Sequence, residues 1–87
     1  MKVKFFTQKN CPNCLVAKKI IEEIKKSGIE VEEFDVETVD GMAEAALYMV
    51  MSTPTTILVN SGEEEIISWR GKIPDKNKIF ELWQVSA

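Results

Sequence analysis

The stretch FFTQKNCPNCLVAKKIIEEIKKSG, residues 5–28, decides the fold because its hydrophobic period changes part-way along it. The run from Val3 to Thr7 is apolar, aromatic and β-branched, which is typical of a strand buried on both faces. From Pro12 onward the spacing of one helix face is followed by Cys14, Ala17, Ile21 and Ile24, and Leu15 and Ile20 widen this apolar face. Pro12 suits a first helical turn, and Lys25-Lys26-Ser27-Gly28 is typical of a helix end. The stretch therefore predicts a strand, a cysteine-containing loop and a helix of about four turns.

The next part of the chain predicts a second strand and a second helix. Residues 29–36, IEVEEFDV, are apolar at alternating positions, and Glu32-Glu33 interrupts them as charges do on an edge strand. A strand, a capped helix and another strand form a right-handed parallel βαβ unit. Asp40 is predicted to cap a helix that fills the core with methionine and alanine side chains: Met42, Ala45, Ala46 and Met49.

The last third of the chain predicts a hairpin and a final helix. The segments TTILVN and EEEIISW flank Ser61-Gly62, which is typical of an antiparallel hairpin with a tight turn. Pro74 and Asp75 open a helix whose apolar positions are Ile79, Phe80, Leu82 and Trp83. The complete order is β-α-β-α-β-β-α, which makes this an α/β protein.

The composition limits the classes of function. The chain has 87 residues, expected to form one domain over residues 1–87, and its 45% hydrophobic residues are typical of a globular protein. Lysines predominate in residues 1–26 and acids in residues 27–62, a pattern typical of solvated helix faces and a charged sheet edge. No basic stripe is interleaved with aromatics and no apolar segment could span a bilayer, so neither nucleic-acid binding nor membrane insertion is expected. Because secreted domains of this size usually carry several disulfides, we expect a cytoplasmic location. We also expect a monomer.

Cys11 and Cys14 are the chain's only cysteines, and they lie where the first helix is predicted to begin. The free N–H groups and the positive end of the helix dipole should lower the pKa of Cys11 and favour its thiolate, and Lys9 adds positive charge. Cys14 lies one turn into the helix on its apolar side and should be shielded. This division predicts disulfide exchange, in which Cys11 attacks a substrate disulfide and Cys14 resolves the mixed disulfide.

Two other interpretations of the cysteine pair are weaker. A disulfide between residues three apart closes too short a loop to brace the fold. A structural zinc site requires four ligands, and this chain has two thiols and no histidine, so no metal is expected. A dimer that shares four thiols around zinc is the alternative of a different class. The absence of histidine also removes the base that a protease-type cysteine nucleophile requires.

The C-P-x-C sequence after the first strand, the order of the later elements and the Ser-Thr-Pro-Thr segment together resemble the thioredoxin superfamily, in particular its glutaredoxin-sized members. The resemblance covers essentially the whole chain and implies a four-stranded mixed sheet flanked by helices. It also implies that Thr53-Pro54 is a cis peptide packed against the cysteines, and that the Thr53 backbone pairs with an extended substrate. The substrate-binding residues expected on this basis are Pro12, Asn13, Thr53 and Pro54.

The branch within this superfamily is less sharply marked. Phe5 stands where thioredoxins carry a buried aspartate, and Gln8 and Asn13 replace residues that help glutaredoxins hold glutathione. The segment from Trp69 to Lys76 resembles that of NrdH-redoxins, which draw electrons from thioredoxin reductase and feed ribonucleotide reductase. Trp69 and Gly71 are therefore candidates for contacts with a reductase or target. The same segment can also be interpreted as a strand end, a turn and a helix start.

The sequence thus predicts a dithiol-disulfide oxidoreductase that reduces protein disulfides, with Cys11 as the attacking and Cys14 as the resolving thiol. No bound cofactor is expected, because the cysteines carry the electrons and a thioredoxin-reductase-like donor supplies them. Ribonucleotide reductase is a candidate target. A glutaredoxin that draws its electrons from glutathione is the alternative.

Overall fold

A four-stranded sheet with three helices makes up the computed structural model, which describes residues 1–86. Its elements are β1 (Lys2–Thr7), α1 (Pro12–Lys26), β2 (Val31–Asp35), α2 (Val39–Leu47), β3 (Thr55–Val59), β4 (Glu65–Arg70) and α3 (Lys76–Ser86). The strand order is β2-β1-β3-β4, with β1 and β2 parallel and the other pairs antiparallel. The predicted order of elements, the mixed sheet and the edge position of β2 are confirmed. Of the helices within residues 1–86, none is long and apolar enough to cross a membrane.

The two central strands of the sheet, β1 and β3, are buried on both faces. On one face Val3 and Phe5 of β1 pack with apolar residues of α1 and α3, including Ala17, Ile21, Ile24 and Ile79. On the other face Phe6 packs with Ile57 and Val59 of β3 and with Ala45 of α2. Because side chains alternate along a strand, β1 supplies both layers. This central strand leads directly into the cysteine loop.

Helix α1 begins and ends where the sequence predicts. Cys11 is its N-cap residue, Pro12 is its first residue, and Gly28 follows the C-cap with a φ of +90°. The predicted apolar face is buried at Cys14, Ala17, Ile21 and Ile24. Leu15, however, is 70% exposed, so its assignment to that face is wrong. It is turned by about 100° from Cys14 around the helix axis, which takes it beyond the buried stripe.

Helix α2 differs from the prediction in its cap and its core residues. The hydroxyl of Thr38, not Asp40, accepts the hydrogen bond from the Gly41 N–H at 3.0 Å, and Asp40 lies in the first turn. Met42 is 59% exposed, and Met49 lies beyond the helix end and is 74% exposed, so neither methionine fills the core. Helix α2 is apolar around most of its circumference, so its period could not identify the buried face.

The β3–β4 connection is longer than the tight turn that the sequence predicts. Residues 60–64 connect the strands, and the pairing register shifts at Leu58 and Val59. The side-chain oxygen of Asn60 accepts hydrogen bonds from the backbone N–H groups of Gly62 and Glu64, at 2.9 and 3.0 Å. This local hydrogen bonding favours a wider loop than a two-residue turn would form.

Lys4 is a buried cation at the centre of the sheet, which the sequence analysis did not identify. Its side chain is 2% exposed, and Nζ forms ion pairs with Glu32 of β2 at 2.8 Å, Glu44 of α2 at 2.5 Å and Glu63 of the 60–64 loop at 3.1 Å. Nζ also lies 5.3 and 5.5 Å from the ring centroids of Phe34 and Tyr48. We call Lys4 and its three glutamates the Lys4 cluster. It joins β1 to three separate parts of the chain.

The charges of the Lys4 cluster stabilise one another. Burial alone would lower the pKa of Lys4, but the hydrogen bonds from its ammonium to the glutamates outweigh burial, and the pKa is raised. The hydrogen bond from Lys4 lowers the pKa of Glu32 and that of Glu63. Lys4, Glu32 and Glu63 are therefore ionised at neutral pH, and the buried lysine keeps its charge because it is paired.

Candidate active site

The two cysteines lie at the N-terminus of α1. Cys11 has extended backbone angles, φ −109° and ψ 101°, and its carbonyl accepts a hydrogen bond from the Cys14 N–H at 3.1 Å. The two sulfurs are joined in a disulfide, with Cα atoms 5.3 Å apart. Cys14 is 6% exposed, whereas Cys11 is only partly buried. The predicted placement of both residues, one accessible and one shielded, is therefore observed.

The N-terminus of α1 presents no negative charge to Cys11. There is no acidic residue in the first helical turn, and the Cys11 side chain forms no capping hydrogen bond. The first N–H groups of a helix lack helical partners and form its positive end. When the disulfide is reduced, this position favours a thiolate on Cys11.

The segment Ser52–Thr55 approaches the cysteine loop from the other side of the site. The Thr53-Pro54 peptide is cis. The Thr53 hydroxyl donates a hydrogen bond to Oε1 of Gln8 at 3.4 Å, which joins this segment to the loop before Cys11. Pro54 is buried, and its carbonyl accepts a hydrogen bond from the Gly71 N–H at 2.8 Å.

Two cavities open on Cys11, and they differ in charge. The first, which we call the Thr53 cavity, is lined by residues that include Asn13, Thr53 and Glu37. The second, the Lys18 cavity, extends along α1 and is lined by residues that include Cys14 and Lys18. Lys9, Asn10 and Pro12 line both cavities. The structure therefore brings together Cys11, Cys14, Pro12, Asn13 and Thr53 from the predicted site.

Gly71 and Trp69 have different surroundings from the cysteines. Gly71 has a φ of +67°, and a Cβ at this position would lie 2.9 Å from the Ser52 hydroxyl. Gly71 thus lies against Ser52 and is hydrogen-bonded to Pro54. Trp69 is partly buried against the α1 and α3 side of the core. Neither residue lines the two cavities on Cys11, and their predicted contacts with a reductase or target remain predictions.

The rest of the segment from Trp69 to Lys76 has clear structural roles. Asp75 caps α3, because its side chain accepts hydrogen bonds from the Asn77 and Lys78 N–H groups at 3.0 and 3.2 Å. Lys76 forms an ion pair with Glu23 of α1 at 2.6 Å. Pro74 is buried. These residues form the turn and helix start that the alternative interpretation predicts.

Sequence reasoning missed Gln8, Asn10, Lys18 and Glu37 as residues of the site. Lys18 could have been found, because it follows Cys14 by four residues and side chains at this spacing share a helix face. Glu37 could not, because it reaches the site through sheet pairing, in which the Val36 N–H donates to the Thr7 carbonyl at 3.0 Å.

Within residues 1–86, the structure contains no group of three or more His, Cys, Asp or Glu side chains that could hold a metal ion. The cysteine pair in a single chain thus supplies two sulfur atoms and no third ligand. The observed disulfide already places these sulfurs in bonding contact with each other. This geometry suits electron transfer by a dithiol-disulfide pair.

Comparison with known proteins identifies the family. A family model of the thioredoxin domain matches residues 1–84. The chain belongs to the thioredoxin family. The chain is 31% identical to the thioredoxin of Methanocaldococcus jannaschii over 84 residues, which cover 93% of this chain and 89% of the relative.

Solved thioredoxin structures share its fold. Thioredoxin 1 of Thermosipho africanus TCF52B superposes with a TM-score of 0.81 at 26% identity, covering 99% of this chain and 98% of that one. A thioredoxin from Thermus thermophilus gives a TM-score of 0.66 at 26% identity, covering 98% of this chain and 72% of that one. With this family membership, the protein is a thiol-disulfide oxidoreductase of the thioredoxin type.

Proposed function

We propose that this thioredoxin reduces disulfides of target proteins through Cys11 and Cys14, and that a thioredoxin-reductase-like donor restores the dithiol. The observation that carries the proposal is the asymmetry of the pair: Cys11 is accessible at the N-terminus of α1, and Cys14 is 6% exposed one turn further on. An attacking thiolate must reach the target, whereas a resolving thiol must reach only its neighbour.

The exchange takes place in two steps. The Cys11 thiolate attacks one sulfur of the target disulfide, a Cys11–target bond forms, and the other target sulfur leaves as a thiolate. Cys14, after losing its proton, attacks the Cys11 sulfur, so the Cys11–Cys14 disulfide forms and the second target sulfur leaves. The target gains two electrons and the thioredoxin loses two. Thr53, Pro54, Pro12 and Asn13 shape the groove that holds the extended target segment.

The proposal requires no bound cofactor, because the electrons reside in the two sulfurs between reactions. The donor reduces the Cys11–Cys14 disulfide by the reverse exchange and supplies two electrons and two protons. Ribonucleotide reductase is one candidate target. We place the protein in the cytoplasm, where disulfides are mostly transient and catalytic, and treat the monomer as the working form.

The test measures NADPH consumption with a disulfide-bonded protein substrate in two parallel assays. One contains thioredoxin reductase, and the other contains glutathione and glutathione reductase. We expect turnover in the first assay, with the Cys11→Ser variant as the background in each. Turnover in the second assay alone would replace the proposed donor with glutathione. The absence of turnover in both would contradict the proposed function.

A further inference from the structure

We propose that the Lys18 cavity binds a carboxylate that adjoins the target disulfide, held by the ammonium groups of Lys9 and Lys18. The inference rests on the proposed function and names the substrate class of the same site. The protein should therefore reduce disulfides that have an acidic side chain or a terminal carboxylate beside them faster than disulfides with neutral neighbours.

The first observation is the charge of the cavity. Lys9 and Lys18 both line it, and so do Cys11 and Cys14. None of the described residues that line it is acidic, although the chain has 14 acidic residues and a net charge of −3. The Thr53 cavity on the other side of Cys11 includes Glu37. Positive charge is therefore concentrated on the α1 side of the reactive disulfide.

The second observation is that these two lysines form no ion pair within residues 1–86. Within residues 1–86 the basic side chains in ion pairs are Lys2, Lys4, Lys25, Arg70, Lys76 and Lys78. Neither Lys9 nor Lys18 forms an ion pair with any described residue. An ammonium group that no carboxylate neutralises is available to a ligand.

The third observation is the position of Lys18 on α1. It follows Cys14 by one helical turn, so its side chain lies on the same side of the helix as the buried sulfur. Lys19 is the next residue, is also exposed, and forms no ion pair, but it does not line the cavity. The chain thus provides two adjacent lysines of the same chemistry, only one of which faces the proposed site.

The size of the preference follows from exposure. Both lysines are exposed, so water and salt weaken their attraction for a carboxylate. We expect about a threefold to tenfold advantage for an acidic target at low ionic strength. The advantage should disappear at about 1 M salt, where the screening length falls to about 3 Å.

The experiment uses two synthetic peptides, each with one internal disulfide. One has Glu on both sides of the disulfide and the other has Gln at the same positions. The chemically reduced protein is mixed with each peptide, and the second-order rate constant of reduction is measured without any donor enzyme. Glutathione disulfide serves as a third substrate, since it carries the same carboxylate chemistry in a small molecule.

The expected result is a Glu-to-Gln rate ratio well above one for the wild type and below one for Lys18→Glu. Lys19→Glu, the matched control, should keep a ratio above one. Equal changes in the two variants, or no change in either, would overturn the inference while the proposed function stands. A wild type that reduces neither peptide nor glutathione disulfide would contradict the proposed function itself. If the wild type reduces glutathione disulfide faster than either peptide but reduces the Glu and Gln peptides at equal rates, the inference for peptide targets is overturned.

Discussion

Lys4 and Lys18 carry the same charged group in opposite settings. Lys4 is buried in the sheet and bound by three glutamates, whereas Lys18 is exposed beside the disulfide and has no carboxylate partner in residues 1–86. Removing Lys4 would take away the ion-pair partner of Glu44 within residues 1–86 and leave only Lys2 to pair with Glu32 and Glu63. Removing Lys18 would break no ion pair within residues 1–86.

The difference separates stability from function. A charge that the protein neutralises internally fixes the positions of the elements that supply its partners, here β2, α2 and the 60–64 loop. A charge without an internal partner adds little to folding and can act on a ligand instead. We therefore expect variants of the Lys4 cluster to change stability, and variants of the cysteine site to change reaction rates.

The largest effect is expected for variants of the two cysteines. If these variants changed folding instead of turnover, the contrast between the Lys4 cluster and the cysteine site would fail. Cys11→Ser and Cys14→Ser should each reduce turnover to the uncatalysed level, because the exchange cycle requires both sulfurs. Cys14→Ser should accumulate a mixed disulfide with the target, detected by mass spectrometry as a covalent adduct. Cys11→Ser should form no such adduct, and an adduct in that variant would contradict the assignment of roles.

The second effect concerns Lys4. Lys4→Met should lower the free energy of unfolding by about 2–3 kcal/mol, since it removes the buried cation that pairs with three glutamates and leaves only Lys2 to pair with Glu32 and Glu63. Lys76→Met is the control, because it removes one exposed ion pair and should cost less than about 1 kcal/mol. Urea unfolding measures both. The second-order rate constant for disulfide reduction by folded Lys4→Met should equal that of the wild type, and a large decrease would show that the two regions are coupled.

The third effect concerns Gly71, which connects β4 to the Thr53-Pro54 segment. Gly71→Ala and Gly28→Ala should each lose about 1 kcal/mol of stability, since both glycines have a positive φ. Only Gly71→Ala brings a Cβ against the Ser52 hydroxyl, and nothing lies within 4 Å of a Cβ at Gly28. Only Gly71→Ala should therefore slow disulfide reduction, by several-fold.

Adding Ser52→Ala to Gly71→Ala removes that hydroxyl and tests the cause. The double variant should regain the rate of disulfide reduction without regaining the stability. If the rate remains low in the double variant, the contact with Ser52 is not the reason for its decrease.

The smallest effect is a change in pH dependence. The pKa of Glu32 is lowered in the folded protein from an ordinary value of 4.5, so its contribution to stability is present above that value and is lost as the pH falls through the lower, folded pKa. Lys4→Met removes the main cause of this shift. Between about pH 6 and about pH 3, the urea midpoint of the wild type should therefore fall more than that of Lys4→Met. Equal decreases would contradict the role assigned to Lys4.

Local signals in the sequence were sufficient for the framework of the site. Pro12, the helix-ending residues around Gly28 and the change of period after Thr7 placed Cys11 and Cys14 correctly, because capping and periodicity depend on near neighbours. The position of Lys18 beside the cysteines could also have been predicted from its spacing to Cys14. The Lys4 cluster was not, because the partners of Lys4 lie 28 residues away or more in the chain and come together only through tertiary packing. The exposure of Met42 and Met49 was missed for another reason: α2 is apolar around most of its circumference, and Met49 lies beyond its end.

The measurement that tests the division of roles most directly is the rate of alkylation of each cysteine in the reduced protein at neutral pH. Mass spectrometry of peptides after timed exposure to iodoacetamide gives the two rates separately. We expect Cys11 to react at least about tenfold faster, because its sulfur is accessible at the helix N-terminus and Cys14 is buried. Equal rates, or faster reaction at Cys14, would contradict the assignment of Cys11 as the attacking thiol.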